Sequence, residues 1–273
     1  MTPKSVFDTW GPSFWLTKAA GWLAKVKIPF IKNLLIQQFI KFYRVDMTPA
    51  IRQDPSQFEN FQDFFTRELK SAARPIHGDS HSIVSPVDGT VAVCGRYTNN
   101  TLIQYKRTST NLFNLTRSKR IGEAGQYAII YLSPKDYHRV HSPVQAELVA
   151  VSRIGGSRHS VKPSNHNQMD GLYERNTRVN CHLRTPRGEM LMSMVGAMIV
   201  SSVQTQWDDE SPPKQVMVAK DITPRPFLPG EEMARFCLGS TVILVVPDGI
   251  GELQSLDPGQ SLKLGEQIGA IEP

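Results

Sequence analysis

The pattern that most constrains the fold begins near residue 80, where short runs of β-branched and apolar residues alternate with glycine, proline and aspartate. Four such runs span residues 89–93, 127–132, 147–151 and 241–246. Runs of strand length that are separated by turn residues, and not by helical patterns, are typical of β sandwiches and barrels. The sequence therefore predicts a β barrel or sandwich over residues 77–273.

The C-terminal tail and the cysteines agree with this prediction. The tail, residues 258–269, is punctuated by glycine and resembles the hairpins of hammerhead-type β barrels. A chain of 273 residues that is 40% hydrophobic is large enough to bury a core. Its three cysteines, Cys94, Cys181 and Cys237, form no Cys-x-x-Cys pair. This sparse, odd number argues against a disulfide framework and a cysteine-rich zinc site, so we expect a reducing compartment and no metal.

The excess positive charge is confined to the N-terminus. Residues 1–45 hold seven basic residues and one acid, a net charge of +6, whereas the rest of the chain holds 24 residues of each sign. The same segment holds three of the four tryptophans, Trp10, Trp15 and Trp22. A nucleic-acid-binding domain would spread its basic residues over a binding face, so this distribution argues against nucleic acid as a partner.

An amphipathic helix is predicted in this basic segment. Apolar residues recur three or four positions apart, which places them on one face of a helix. They are Ile28, Ile31, Leu35, Phe39 and Phe42. No stretch reaches the ~18 uncharged apolar residues of a membrane span, and we expect no cleaved signal peptide. Basic residues, tryptophans and an apolar stripe predict that residues 1–76 form a helical region that lies on a membrane surface. The alternative is that the stripe packs on the protein's own core.

Two segments carry acidic and imidazole side chains suited to catalysis. Asp88 lies in the turn sequence Ser-Pro-Val-Asp-Gly, directly before a predicted strand. An Asp-Gly pair by itself indicates only a turn. The segment 132–143 holds His138 and His141 beside an aspartate, a tyrosine and an arginine. Two imidazoles can act as general base and general acid near neutral pH, although histidines in a polar loop can also serve only to bond the backbone.

Ser240 offers a hydroxyl nucleophile. It lies in a Gly-Ser-Thr step that leads into an apolar run, and an ordinary strand entry with a capping hydroxyl would look the same. The step is not a Gly-x-Ser-x-Gly nucleophile elbow, because Val242 stands where that motif has glycine. Asp88, His141 and Ser240 together supply the carboxylate, base and nucleophile of a catalytic triad. A Ser-His-Asp hydrolase that never processes itself and a non-catalytic membrane-binding barrel both stay open on these residues.

Blocks of the chain match a known family in order. They are residues 64–70, 74–76, 85–89, 131–143, 172–176, 195–197 and 236–242. The occurrence of Asp-Tyr-His-Arg-x-His and Leu-Gly-Ser-Thr in one chain is a specific signal. On these blocks, which cover roughly residues 60–245, the chain resembles the bacterial, pyruvoyl-dependent phosphatidylserine decarboxylases, which are made as proenzymes. Ala234 and Ser201 stand where this family usually has glycine, and Cys237 replaces a commoner polar residue, but none of the three has an expected chemical role.

The resemblance implies that the precursor cuts itself. The expected cleavage lies between Gly239 and Ser240, and it would give a large chain, 1–239, and a small chain, 240–273, which stay folded together. Ser240 would become a pyruvoyl group, a covalent cofactor at the start of the small chain. Glycine before the serine leaves room for the hydroxyl to approach the carbonyl.

The resemblance also implies a reaction and residue roles. The pyruvoyl carbonyl would form a Schiff base with the amine of phosphatidylserine, and loss of CO2 would give phosphatidylethanolamine. His141 is the expected base of self-cleavage, Asp88 is its expected orienting partner, and His138 is expected to assist decarboxylation or reprotonation. The division of roles between the two imidazoles stays open, since either could serve in either step. Candidates for contacts with the lipid are Arg139, Ser160 and Asn176.

The expected fold class is α+β, with amphipathic N-terminal helices before a mainly β, hammerhead-like catalytic domain. The expected partners are the phosphatidylserine substrate, an anionic membrane surface and the two chains of one precursor. We expect peripheral attachment to the cytoplasmic face of the bacterial inner membrane through the basic N-terminal region. The oligomeric state is left open by the sequence, and a homodimer is one candidate, because sheets of this type leave strand edges free.

Overall fold

The structure is a computed structural model that describes residues 22–105, 108–157, 159–163, 169–196, 203–207, 218–237 and 240–272. Residues named above that lie outside this range are Trp10, Trp15, Ser201 and Gly239. The described helices are α1 (Pro29–Tyr43), α2 (Phe61–Phe65), α3 (Leu112–Thr116) and α4 (Leu172–Arg175), and two 3-10 turns span Pro55–Gln57 and Ser71–Ala73. The described strands are β1 (Ser82–Val84), β2 (Gly89–Tyr97), β3 (Thr101–Tyr105), β4 (Thr108–Asn111), β5 (Gly125–Leu132), β6 (Arg139–His141), β7 (Ala146–Ile154), β8 (Arg178–Thr185), β9 (Gly188–Gly196), β10 (Val203–Thr205), β11 (Lys220–Phe227), β12 (Glu232–Phe236), β13 (Ser240–Pro247), β14 (Gly251–Leu253), β15 (Ser261–Leu262) and β16 (Gln267–Ile271).

An eight-stranded antiparallel sheet forms the centre of the fold, in the order β11-β7-β8-β9-β13-β5-β2-β15. Strand β13 lies between β9 and β5, and every residue of it is buried. Its apolar run is continuous because both of its faces are covered. The four runs predicted as strands lie in β2, β5, β7 and β13, which confirms the predicted, mainly β fold.

Two hydrophobic cores lie on opposite faces of this sheet. Successive side chains of a strand point to opposite faces, so Val242 and Leu244 belong to the larger core and Ile243 to the smaller one. The larger core also contains Val140 of β6 and Phe236 of β12, which belong to a three-stranded sheet in the order β10-β12-β6. The two sheets therefore share a core, as the layers of a sandwich do.

The C-terminal tail is not a single hairpin. Strand β15 pairs with β2 in the main sheet, whereas β16 pairs with β1 and β14 in a separate three-stranded sheet. Gly265 turns the chain between the two strands with φ of 86°, and a Cβ there would lie 2.4 Å from the carbonyl oxygen of Pro75. The glycine pattern thus marked a real turn, but that turn moves the chain from one sheet to the other.

Helix α1 confirms the predicted N-terminal helix, and its two sides differ. Ile36 is fully buried in a cluster with Phe58 and Phe64. Phe30 and Phe42, on the other side, are 78% and 79% exposed. Only part of the apolar surface of this helix therefore packs on the protein's own core. None of the described helices is both long enough and apolar enough to cross a membrane.

The segment after α2 joins the N-terminal region to the β region. The carbonyl oxygen of Thr66 accepts a hydrogen bond from Arg139 Nε at 2.9 Å. Arg67 Nη2 donates to the carbonyl oxygen of Lys135 at 2.9 Å. These bonds place the N-terminal region against the loop that joins β5 to β6, which is the loop that carries His138.

Candidate active site

Ser240 opens the central strand and is fully buried. It is in register with Leu132 of β5 and with Gly196 of β9. Alternation along the strand places its side chain on the same face as Val242, toward the larger core. Among the described residues, its Oγ has no hydrogen-bond partner. A buried hydroxyl without a partner costs free energy and is uncommon, so this oxygen is free for chemistry.

His138 is completely buried at the end of the loop between β5 and β6. Its Nδ1 lies 2.8 Å from the carbonyl oxygen of Asp136. Because a carbonyl oxygen only accepts, Nδ1 carries the proton and Nε2 keeps a lone pair. Nε2 has no hydrogen-bond partner within the described part of the chain. Burial lowers the pKa of His138 to about 3, so the ring is neutral near pH 7 and can accept a proton only at Nε2.

His141 is buried but has partners at both ring nitrogens. Its Nδ1 donates to the carbonyl oxygen of Gly230 at 2.8 Å, and its Nε2 accepts from the Tyr137 hydroxyl at 3.1 Å. Burial lowers the pKa of His141 below its ordinary value, against the opposing effect of the Gly230 bond. The ring is therefore a neutral base whose lone pair is bonded to the phenol of Tyr137 in this structure.

Asp88 is buried in a basic environment. Arg74 holds both carboxylate oxygens, through Nε at 2.8 Å and through Nη2. The backbone N–H of Leu264 donates to Oδ1 at 2.9 Å, and Lys263 Nζ lies 3.6 Å from Oδ2. Burial by itself would raise the pKa of Asp88, but the bonds from Arg74 and Leu264 and the two positive charges outweigh it, and the pKa lies below its ordinary value.

The structure brings the four predicted catalytic residues together only in part. The backbone N–H of His141 donates to the carbonyl oxygen of Pro86 at 2.9 Å, so β6 runs beside the turn that carries Asp88. The backbone N–H of Phe236 donates to the carbonyl oxygen of His138 at 2.9 Å, near the predicted cleavage position. Among the contacts of the described residues, no hydrogen bond joins the side chains of Asp88 and His141. The expected orienting role of Asp88 stays a prediction.

We expect Arg74→Met to lower the free energy of unfolding by about 3 kcal/mol, because it leaves the Asp88 carboxylate buried without its main partner. The measurement is urea unfolding in a Ser240→Ala background, which keeps both variants as one chain. Arg96→Met is the matched control, because the pair of Arg96 and Asp248 is more than half exposed and its loss should cost less than about 1 kcal/mol. If the two variants lost equal free energies of unfolding, the result would contradict a stabilising role of the buried pair of Arg74 and Asp88.

Several residues that contact the predicted site have no role that the sequence predicts. The ring centroid of Phe65 lies 4.0 Å from that of His138. The hydroxyl of Tyr137 bonds His141. Tyr137 lies four residues before His141 in the same block, so its position in the sequence could have indicated a contact with His141. Phe65 is 73 residues away from His138, and its apolar pattern indicated only a helix.

Arg139, a candidate for lipid contact, already has a hydrogen-bond partner at each guanidinium nitrogen. Its Nε donates to the carbonyl oxygen of Thr66, its Nη1 donates to Glu232 at 2.8 Å, and its Nη2 donates to Glu68 at 3.0 Å. All three nitrogens are therefore engaged, and two carboxylates neutralise the charge. In this structure Arg139 joins the N-terminal region to β12 and has no free donor nitrogen for a phosphate.

Asn176, a second candidate, positions the strand beside Ser240. Its Nδ2 donates to the carbonyl oxygens of His159 at 2.8 Å and of Gly196 at 3.0 Å. Because Gly196 pairs with Ser240, this side chain fixes the end of β9 next to the predicted cleavage position. Ser160, the third candidate, is half-buried, and its hydroxyl accepts the backbone N–H two residues further along the chain at 3.4 Å.

A cavity of about 1200 Å³ opens elsewhere on the molecule, near the ends of β7, β8, β11 and β16. Its described lining includes Glu147, Arg184, Phe227 and Ile271. None of the four predicted catalytic residues belongs to that lining. The cavity is therefore not the place where these residues would act.

Comparison with known proteins matches the chain to one family. A family model described as phosphatidylserine decarboxylase matches residues 61–270, and a second model, described as PSD, matches residues 11–44. A phosphatidylserine decarboxylase proenzyme from Hahella chejuensis is 41% identical over 269 residues, which are 95% of this chain and 90% of that protein. Proteins of the same name from Saccharophagus degradans and Legionella pneumophila are each 37% identical, over 96% and 95% of this chain and 94% and 95% of their own. The chain therefore belongs to the phosphatidylserine decarboxylase family.

Proposed function

We propose that this chain is a proenzyme that cuts itself between Gly239 and Ser240 and then decarboxylates phosphatidylserine to phosphatidylethanolamine. The names of its relatives support the substrate and the proenzyme form. The structural observation that carries the proposal is the hydroxyl of Ser240, which is buried at the start of the central strand with no described partner. The neighbouring Thr241 also has an unpartnered hydroxyl, and Ser240 differs from it in standing directly after Gly239, where its hydroxyl has a glycine carbonyl to attack.

Self-cleavage would begin with attack of Ser240 Oγ on the carbonyl carbon of Gly239. The peptide C–N bond breaks as the nitrogen takes up a proton, and an ester joins the two residues. A base then removes the Cα proton of residue 240, and the Cβ–Oγ bond breaks to release the Gly239 carboxylate. Tautomerisation and hydrolysis of the remaining enamine release ammonia and leave a pyruvoyl group on the new N-terminus.

His141 is the proposed base for the Cα proton, and Asp88 is its proposed orienting partner. In this structure the Gly230 carbonyl holds the proton of His141 at Nδ1, which leaves the lone pair at Nε2. His138 is proposed to assist decarboxylation or to return a proton to the product carbon. Its unpartnered Nε2 is the ring position that is free to carry such a proton, and the low pKa of the ring means that it would give the proton up readily.

The surroundings of Ser240 fit a pyruvoyl group formed in place. The position is fully buried, and its strand neighbours on the same face are apolar. Such a group supplies an electron sink for the electron pair that departing CO2 leaves behind. The chain's own contribution is to exclude water from this position and to keep the two imidazoles neutral.

The alternative of a Ser-His-Asp hydrolase is not favoured. Such a hydrolase would act as one uncut chain that keeps Ser240 as its nucleophile. The relatives are proenzymes by name, which agrees with a chain that processes itself.

An intact-mass spectrum of the denatured protein tests the proposed function. We expect two chains, with the smaller one starting at residue 240 and lighter by one ammonia than a peptide that starts with serine. Incubation with phosphatidylserine vesicles should then release CO2 and form phosphatidylethanolamine. A chain that is still uncut after this incubation would overturn the proposal.

We further infer that the protein is peripherally attached to the cytoplasmic face of a bacterial inner membrane through α1 and the residues before it. The exposed side of α1 presents Phe30 and Phe42, and the segment 1–45 carries the net charge of +6. Exposed aromatic residues beside an excess of lysine are the features of a helix that lies in a membrane surface. Pairing of two copies stays a prediction.

The double variant Phe30→Ser, Phe42→Ser is expected to bind vesicles of phosphatidylglycerol and phosphatidylcholine at least about tenfold more weakly in sedimentation assays, because it removes two large apolar side chains from the binding face. Its melting temperature should not change, since both residues are exposed. Ile103→Ser, Phe113→Ser is the matched control, because these exposed residues lie outside the N-terminal region. Unchanged vesicle binding by the first variant would contradict this assignment.

A further inference from the structure

Arg67, directly after α2, is a buried arginine whose donors are mostly unused. It is only 3% exposed. Its Nη2 donates to the carbonyl oxygen of Lys135 at 2.9 Å and lies 3.4 Å from that of Asp136. Its Nε and Nη1 have no hydrogen-bond partner in the described part of the chain. No described carboxylate forms an ion pair with it, although the charges of Asp88 and Asp136 act on it from a longer distance. The centroid of the Phe64 ring lies 5.6 Å from the guanidinium carbon.

Two other buried arginines have a hydrogen-bond partner at every guanidinium nitrogen. Arg178 is fully buried, and its three nitrogens donate to four backbone carbonyls. Arg139 uses its three nitrogens on one carbonyl and two carboxylates. A buried charge with neither counter-charge nor full hydrogen bonding costs several kcal/mol. The open donors of Arg67 therefore indicate an anion that is not part of the chain.

Arg67 lies beside one of the proposed reacting groups. The carbonyl oxygen of Asp136 is 2.8 Å from His138 Nδ1 and 3.4 Å from Arg67 Nη2. One backbone oxygen therefore contacts both the imidazole and the guanidinium. An anion bound by the free nitrogens of Arg67 would lie close to His138, within the length of a lipid headgroup.

Phosphatidylserine carries two anionic groups, and the reaction distinguishes between them. Decarboxylation turns the carboxylate into neutral CO2, so a cation bound to the carboxylate would stabilise the substrate more than the transition state and would slow the reaction. The phosphodiester keeps its charge throughout. The guanidinium can also offer it a charge-assisted N–H donor, from Nε or from Nη1, the two nitrogens that have no described partner. We therefore propose that Arg67 binds the phosphodiester of the lipid headgroup, an assignment that rests on the proposed function.

The reaction product can show which of the two anionic groups Arg67 binds, because phosphatidylethanolamine keeps the phosphodiester and has lost the carboxylate. The experiment compares wild type, Arg67→Gln and Arg67→Lys, with dihexanoyl phosphatidylserine as substrate and dihexanoyl phosphatidylethanolamine as inhibitor. For Arg67→Gln we expect KM and the inhibition constant both to rise about 10- to 100-fold, as for the loss of hydrogen bonds to a charged group, with kcat nearly unchanged. Arg67→Lys keeps the charge and should raise KM and the inhibition constant by less than about tenfold each.

Arg52→Gln is the matched control, since the Arg52 guanidinium is bonded to Asp63 on the same N-terminal region. It should leave both constants unchanged. A rise in KM without a rise in the inhibition constant would place the carboxylate on Arg67 and overturn the proposal. A fall in kcat with both constants unchanged would instead show that Arg67 only supports the loop of His138, and would also overturn it.

Maturation is followed by intact mass in the same preparations. If neither Arg67 variant is cut while wild type is, Arg67 serves maturation of the precursor and the proposal is overturned. Failure of wild type to convert phosphatidylserine would contradict the proposed function instead. In that case the binding of dihexanoyl phosphatidylethanolamine to wild type and to Arg67→Gln, measured directly, still tests the phosphodiester assignment.

Discussion

Ser240→Ala is expected to remain a single chain of 273 residues with no measurable decarboxylation. Alanine lacks the Oγ that would attack the Gly239 carbonyl, so neither the ester nor the pyruvoyl group can form. Loss of the reacting group should lower the rate at least about a millionfold, which is the lower range of enzymatic rate enhancement. Intact mass measures the cleavage, and release of CO2 from phosphatidylserine vesicles measures the activity.

Thr241→Val is the matched control for Ser240→Ala. Thr241 is the next residue of β13, is also fully buried, and also has a hydroxyl without a partner among the described residues. Its side chain lies on the opposite face of the strand, so it is not expected to take part in cleavage. The valine variant should be cut and active. Cleavage of Ser240→Ala at the same position would show that another group is the nucleophile.

Strands were predicted well wherever the local pattern decides the outcome. The run 127–132 lies in β5 and the run 241–246 lies in β13, because a β-branched run bounded by turn residues favours the extended conformation. Sheet membership is not a local property. The tail 258–269 resembled the hairpins of hammerhead-type barrels, but the pairing of Ser261 with Thr90 depends on a strand far away in the sequence.

The motifs identified side chains with suitable chemistry but not their partners. Asp88 is bonded by Arg74 and by the backbone of Leu264, which are 14 and 176 residues away. No spacing rule connects such positions. In the same way, Arg67 and Arg139 look alike in the sequence. Only their contacts show that every guanidinium nitrogen of Arg139 has a hydrogen-bond partner, whereas two nitrogens of Arg67 have none among the described residues.

The N-terminal helix shows a third property that the local sequence pattern does not determine. Periodicity predicts an apolar stripe, but it does not say which of two surfaces the stripe contacts. Of the predicted stripe, Ile28 and Phe42 are exposed and Phe39 packs against the buried cluster, whereas the fully buried Ile36 lies outside the stripe. The side toward the protein is fixed by the aromatic residues of α2 and the turn before it, which follow later in the chain and which the helix pattern alone does not include.

His138→Asn and His141→Asn are expected to separate maturation from decarboxylation. In both residues Nδ1 donates to a backbone carbonyl, and an asparagine amide N–H can replace that donor, while Nε2 is lost in both. We expect His141→Asn to stay uncut, because the proposed base for the Cα proton is gone. His138→Asn should be cut and should decarboxylate about 10²- to 10⁴-fold more slowly, the usual contribution of an acid or base group.

His182→Asn is the control for removing a buried imidazole, since His182 lies in β8 and its nearest described acid is Glu189 at 3.7 Å. It should be both cut and active. An exchange of the two roles would also have a structural basis, because His138 Nε2 is unpartnered whereas His141 Nε2 is bonded to Tyr137. An uncut His138→Asn beside a cut His141→Asn would therefore make His138 the base of self-cleavage and leave the Tyr137-bonded ring for the later protonation.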